Sequence, residues 1–107
     1  MAESMGALTE AVYYILLSLF EPMHGYGIMQ NVKALSRGRV SMGAGTLYGA
    51  ISTLLEKGWI RPLESASDDR KKEYVITDNG KRVVRAELER LEELIKNGHQ
   101  ISGGNQS

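Results

Sequence analysis

The sequence predicts a mainly α-helical fold with one small β-hairpin, in the order α-α-α-β-β-α. Three observations carry this. Apolar residues recur at helical spacing in four separate stretches, two before "RGRVSMGAG", one directly after it and one near the end of the chain. The period changes once, where two short β-prone stretches, "WIRPLES" and "KKEYVIT", flank the polar connection "ASDDR". A length of 107 residues, 42% of them hydrophobic and 24% charged, suits one compact domain with little surplus for a second.

The elements follow in order. Thr9 is a natural N-cap for a first helix running to about Leu19, with Glu10 near the positive end of its dipole. Val12, Tyr13, Ile15, Leu16, Leu17 and Leu19 make that helix apolar nearly all round, which predicts a buried central position, and Pro22 stops it. "HGYGIMQNVKALS" reads as a second helix, with Ile28, Met29, Val32 and Leu35 inward, His24 a structural residue at its start and Tyr26 in the core. "RGRVSMGAG" is a loop. In "GAGTLYGAISTLLEKGW", Leu47, Ile51, Leu54 and Leu55 form the apolar stripe of a third helix that ends at Gly58, a left-handed C-cap. Pro62 implies an edge position for the first strand. Thr77 and Asp78 open a last helix expected to reach about Lys96, with Gly98 just past its end. The organisation is therefore an N-terminal segment (1–8), a main domain (9–76), a C-terminal helix (77–97) and a flexible tail (98–107).

Three helices followed by a two-stranded hairpin is the plan of a winged helix-turn-helix, the third helix being the recognition helix and the hairpin the wing. The outer face of that helix carries Gly45, Thr46, Gly49, Ser52, Thr53 and Glu56, of which five are small and one is charged. A face that meets only water collects Lys and Glu, and glycine inside a helix costs about 0.5–1 kcal/mol relative to alanine. A helix entering the DNA major groove fits a slot about 12 Å wide, close to its own diameter, and small residues let its backbone approach. On the residues alone, close packing against another protein helix explains the face equally well.

Bulk properties narrow the function classes. The net charge is zero, but residues 33–85 carry a net +5 while both flanks are acidic. Such segregation alone does not specify a nucleic-acid partner. The absence of cysteine excludes disulfides and thiolate metal sites, and is compatible with a reducing cytoplasm. No apolar run is long enough for a membrane span, and the start lacks the early Lys or Arg of a signal peptide, so the expected location is cytoplasmic. No nucleophile, positioned base or metal-ligand spacing is present around His24 or His99, so neither enzyme nor cofactor chemistry is expected.

Two further groups of residues bear on partners. Arg70, Lys71 and Lys72 end the hairpin connection, next to Asp68 and Asp69. A solvated charge run is the ordinary reading of such a cluster. As wing contacts to phosphate, Arg70 and Lys72 are the preferred pair, because strand alternation sends Lys71 to the other face. Lys33 and Arg39 border the second helix and its loop, where helix-turn-helix docking crosses the DNA backbone. In the last helix, Val84, Leu88, Leu91 and Ile95 are spaced four, three and four, an a/d seam. Packing on the first helix is one use for it; a two-fold partner is the more natural one.

Three ordered blocks resemble the PadR-like transcriptional regulators: "ILLSLFEPMHGYGI" at 15–28, "GTLYGAISTLLEKGWI" at 45–60 and "RKKEYVITDNG" at 70–80. The Gly-Thr-Leu-Tyr start of the third helix is the most specific, and together the blocks span most of residues 9–96. The single short terminal helix is similar to the smaller subfamily. The resemblance implies a dimeric DNA-binding repressor whose last helix, helped by the first, makes the dimer. It tips the third-helix face towards groove contact through Thr46, Gly49, Ser52 and Thr53. It also inclines Tyr48 to a phosphate rather than to capping the core with its ring.

The expected function is thus a sequence-specific transcriptional regulator, a homodimeric repressor on an inverted-repeat operator of double-stranded DNA, released by a small-molecule or stress signal. A small apolar or aromatic effector would enter at the dimer interface. The rival reading is a winged-helix protein–protein interaction module with no salt-dependent DNA affinity. Trp59 could wall an effector site or pack between the third helix and the hairpin, and packing is preferred.

Overall fold

The computed structural model describes residues 6–63 and 72–103. Four helices and three short strands follow in order: α1 (Glu10–Ser18), β1 (Met23–His24), α2 (Gly25–Leu35), α3 (Ala44–Lys57), β2 (Ile60–Leu63), β3 (Glu73–Ile76) and α4 (Asp78–Ser102). The mainly helical class and the order of helices match the sequence expectation, with β1 as an addition.

Local chemistry sets most boundaries. Thr9 Oγ1 accepts from the Val12 N–H at 3.1 Å, His24 Nδ1 from the Gly27 N–H at 3.3 Å and Thr77 Oγ1 from the Gly80 N–H at 3.1 Å, so α1, α2 and α4 each start at a side-chain cap. α3 stops at Gly58, whose φ of +76° is the left-handed conformation glycine adopts without strain. The last helix differs from expectation. It runs through Gly98 to Ser102, and the left-handed cap is Gly103, φ +82°. One interior glycine weakens a helix by only about 0.5–1 kcal/mol, which neighbouring good helix formers offset. The expected flexible tail is therefore helical from 98 to 102; residues 104–107 lie outside the described residues.

The sheet is antiparallel in the order β1-β3-β2, with Met23 opposite Tyr74 on one side and Pro62 opposite Tyr74 on the other. Pro62 thus occupies an outer strand, as expected from its missing N–H. β1 was not anticipated, because two residues carry no alternation.

The core draws Ile15, Leu16 and Leu19 from α1, Ile28 and Val32 from α2, and Leu47, Ile51 and Leu54 from α3. The sheet adds Ile60, Tyr74 and Ile76, and α4 adds Val83 and Val84. Each such aliphatic side chain stabilises the fold by about 1.5–3 kcal/mol relative to exposure. Two expected core residues are elsewhere. Tyr26 is 62% exposed, since it lies two positions from Ile28 and so on the far side of α2, and Leu35, at the helix end, is 44% exposed. Among the described residues no helix is long and apolar enough to cross a membrane.

Two junctions fix α3. At its entrance, buried Ser36 donates to the Lys33 carbonyl at 3.2 Å and accepts from the Val40 N–H at 2.9 Å, while Arg37 and Gly38, φ +54° and +84°, reverse the chain. At its exit, Thr77 Oγ1 donates to the Gly58 carbonyl at 2.6 Å and the Thr77 N–H donates to the Trp59 carbonyl at 2.9 Å. Gly80 sits directly against that Trp59 carbonyl: a Cβ there would overlap the oxygen and lie 2.6 Å from Ile76 Cγ1. The Ile-Thr-x-x-Gly run is thus a fitted joint between the end of α3 and the start of α4.

Candidate nucleic-acid interface

α3 buries Leu47, Ile51 and Leu54 and exposes Gly45, Thr46, Tyr48, Gly49, Ser52, Thr53 and Glu56. The exposed face is open as well as small. A Cβ at Gly45 or Gly49 would meet nothing within 4 Å. Gly43, the N-cap, makes no side-chain cap bond, in contrast to the other three described helices. The first-turn N–H groups of α3 are therefore left to solvent at the positive end of its dipole, an arrangement suited to an anion. Thr53 Oγ1 donates to the Gly49 carbonyl at 3.2 Å, so its proton is used within the helix and its lone pairs and methyl remain outward.

Tyr48 sits where α3 meets the head of α2. It is 48% exposed, yet its ring end rests on the backbone of Gly25, where a Cβ would lie 2.7 Å from Tyr48 Cζ. Tyr74 is close by. Its own burial, and secondarily Tyr48, raise its hydroxyl pKa above the ordinary value.

The expected basic contacts divide. Lys33 is exposed on α2. Lys72 is exposed just before β3. Arg39 is not a free cation: it pairs with Glu10 at the start of α1, and that hydrogen bond raises its pKa. Any phosphate contact by Arg39 competes with this tie, which a separation of 29 residues hides from a local reading. Arg70 lies outside the described residues.

Of the four seam residues, Val84 is only 3% exposed and packs in the protomer's own core. Leu88 and Ile95 are 43% and 60% exposed and Leu91 is half-buried; Leu94 and Ile101 extend the apolar surface. Glu87, on the same buried side as Val83 and Val84, is 6% exposed and accepts from Arg90 at 2.6 and 3.0 Å. That bond, outweighing burial, holds its carboxyl below the usual range, with help from the Leu8 backbone. Trp59 is half-buried against the core, with the Lys57 ammonium 5.2 Å from its ring centroid. It also borders a groove of about 300 Å³ shared with Leu8, Val12 and Leu54.

A small-faced α3, braced by α2 on one side and a short antiparallel sheet on the other, defines a winged helix-turn-helix DNA-binding regulator. The chain belongs to the transcriptional regulator PadR-like family, whose pattern matches residues 14–86. That membership implies regulation through DNA binding. A PadR family transcriptional regulator from Eggerthella lenta superposes with a TM-score of 0.68 at 28% identity, over 88% of this chain and 82% of that one. A PadR-like transcription factor from Bacteroides fragilis gives 0.67 at 26% identity, over 84% and 87%. A 37.1 kDa protein of transposon TN4556 from Streptomyces fradiae is 31% identical over 86 residues. The match covers 79% of this chain but about a quarter, 24%, of that protein's length.

Proposed function

We propose that this regulator acts in the cytoplasm as a homodimeric repressor on an inverted-repeat operator, with the two α3 helices in successive major grooves. The observation that carries the reading is the outer face of α3, which is small, solvent-open and nearly free of acid. Thr46, Ser52 and Thr53 are the groove-facing polar residues; Tyr48, Lys33, Lys72 and Arg70 serve phosphates. Two-fold docking sets the half-sites about 34–36 Å apart. Exposed Leu88 and Ile95, with half-buried Leu91, offer a self-complementary surface for the partner. Bound protein blocks transcription. A small apolar or aromatic effector between protomers, or a stress signal, releases it by changing the separation of the recognition helices.

Gly49→Glu tests the groove assignment. Glutamate is a good helix former on an exposed face, so the variant is expected to fold. It places bulk and negative charge where phosphates and base edges would lie, so fragments selected from the source genome by the parent protein are expected to lose all affinity. Unfolding of the variant, or unchanged binding, would remove α3 from the groove.

A further inference from the structure

The groove beside Trp59 lies within one protomer, between the start of α1 and the C-terminal half of α3. Its volume of about 300 Å³ is at the lower limit of small-molecule sites. Leu8 and Val12 on the α1 side and Ala50 and Leu54 on the α3 side give it an aliphatic lining. All four are at least partly buried.

The polar groups at this groove favour one sign of charge. Lys57 is the charged residue of the lining, and among the described residues no carboxylate lines it. The Lys57 ammonium lies 5.2 Å from the Trp59 ring centroid, so the indole holds the cation at the groove. No acid among the described residues pairs with it. Thr9 Oγ1 accepts from the Val12 N–H and so keeps its own proton to donate. The Thr53 proton already goes to the Gly49 carbonyl. The groove thus offers an aliphatic surface, one cation and one hydroxyl donor. One face of the Trp59 ring carries the ammonium, which leaves aliphatic contact rather than stacking to hold the body of a ligand.

The geometry points to a ligand site within each protomer for a medium-chain alkyl carboxylate, with its head on Lys57 and Thr9 and its chain along Leu8, Val12 and Leu54. Occupancy bears on DNA because α3 forms one wall, and Thr53 belongs both to the lining and to the exposed face of that helix. A carboxylate here adds a negative charge within about a Debye length of phosphates docked along α3. Ligand and DNA therefore oppose each other, each weakening the other by the same factor. This second step rests on α3 lying in the major groove; the site itself does not.

Trp59 is the only tryptophan of the chain, so its emission reports the site without DNA. The full chain is titrated with sodium octanoate and, separately, with octanamide, which has the same chain and no charge. Octanoate is expected to change Trp59 emission saturably, at one molecule per chain, and to bind about tenfold more tightly than octanamide, as one bond to a charged group contributes. Lys57→Gln should remove that difference and keep the parent's melting temperature, because Lys57 is exposed. An unsaturable response, equal affinities of the parent for the two probes, or one octanoate per two chains each overturns the inference. So does an emission change that follows dimer dissociation and not octanoate, which would assign the groove to a second copy. Saturating octanoate should also weaken the parent's binding to a duplex it selects by about fivefold or more. Gly49→Glu, run alongside, separates the two readings. If that variant loses DNA while octanoate leaves the parent's DNA affinity unchanged, the coupling fails and the major-groove assignment stands. If it binds DNA normally, the α3 reading fails and the Trp59 titration still decides the site.

Discussion

The hydroxyl of Tyr48 lies in the space that a side chain on Gly25 would fill. Glycine at the head of α2 therefore serves an aromatic residue 23 positions away in sequence, and the two together set how closely α2 and α3 approach. Gly25→Ala should destabilise the protein by about 1–3 kcal/mol in urea unfolding, the usual penalty for overpacking. In a Tyr48→Ala background the same change should be nearly neutral, and a double-mutant cycle would report the coupling. Additive losses would mean that Gly25 is required for another reason.

Gly49 and Gly80 are both helical glycines and should respond oppositely to alanine. Around Gly49 there is open space, so Gly49→Ala should raise the denaturant midpoint, by about 0.4–1 kcal/mol in stability. At Gly80 the obstacle is the Trp59 carbonyl oxygen, a backbone atom that cannot rotate away. Gly80→Ala should lower stability by about 1–3 kcal/mol. Equal shifts of the same sign would contradict these two environments.

Along α4 the division of labour is testable at either end of the seam. Ile95→Glu should convert the protein to monomers in sedimentation while leaving its helical content intact, because Ile95 is exposed in the single chain. Val84→Ala should leave the dimer but cost roughly 1–3 kcal/mol of stability, because Val84 is buried within the protomer. A dimer that survives Ile95→Glu at micromolar concentration puts the interface elsewhere.

The strength of each local signal governed how much was legible. Caps at Thr9, Gly58 and Thr77 and the stripe of α3 are encoded within a few residues, so their elements could be placed from sequence. The bare face of α3 was equally visible, since Gly49 and Ser52 depart from ordinary helix surface. Other features depend on distant partners. Nothing near Arg39 announces Glu10, nothing near Gly25 announces Tyr48, and two residues of β1 make no pattern. The seam in α4 showed which residues are apolar, but periodicity does not divide Val84, packed in its own protomer, from Ile95, left open. Tyr26, expected in the core, lies about 200° around α2 from Ile28, and that angle puts it in solvent.

Acid should reveal Glu87. The Arg90 hydrogen bond favours the ionised carboxylate in the folded state, so its folded pKa lies below the ordinary 4.5. The resulting stabilisation is complete above that unfolded value and is lost as pH falls through the lower folded value. Urea midpoints measured between about pH 5 and pH 3 should fall more steeply for the parent than for Glu87→Gln, which has no such proton to take up. Parallel profiles would show that Glu87 does not contribute to acid sensitivity.

The joint at Thr77 and Gly80 gives α4 a mechanical character. The helix is 25 residues long, about 37 Å, and is clamped at one end to the last turn of α3 through Thr77, Trp59 and Gly80. Geometrically it is a long arm fixed at one end beside α3. Over that length, a rigid tilt of about 10° about the clamped end corresponds to about 6 Å at the free end. In the proposed dimer, a grip far out on α4 would therefore also set the angle at which each copy presents α3.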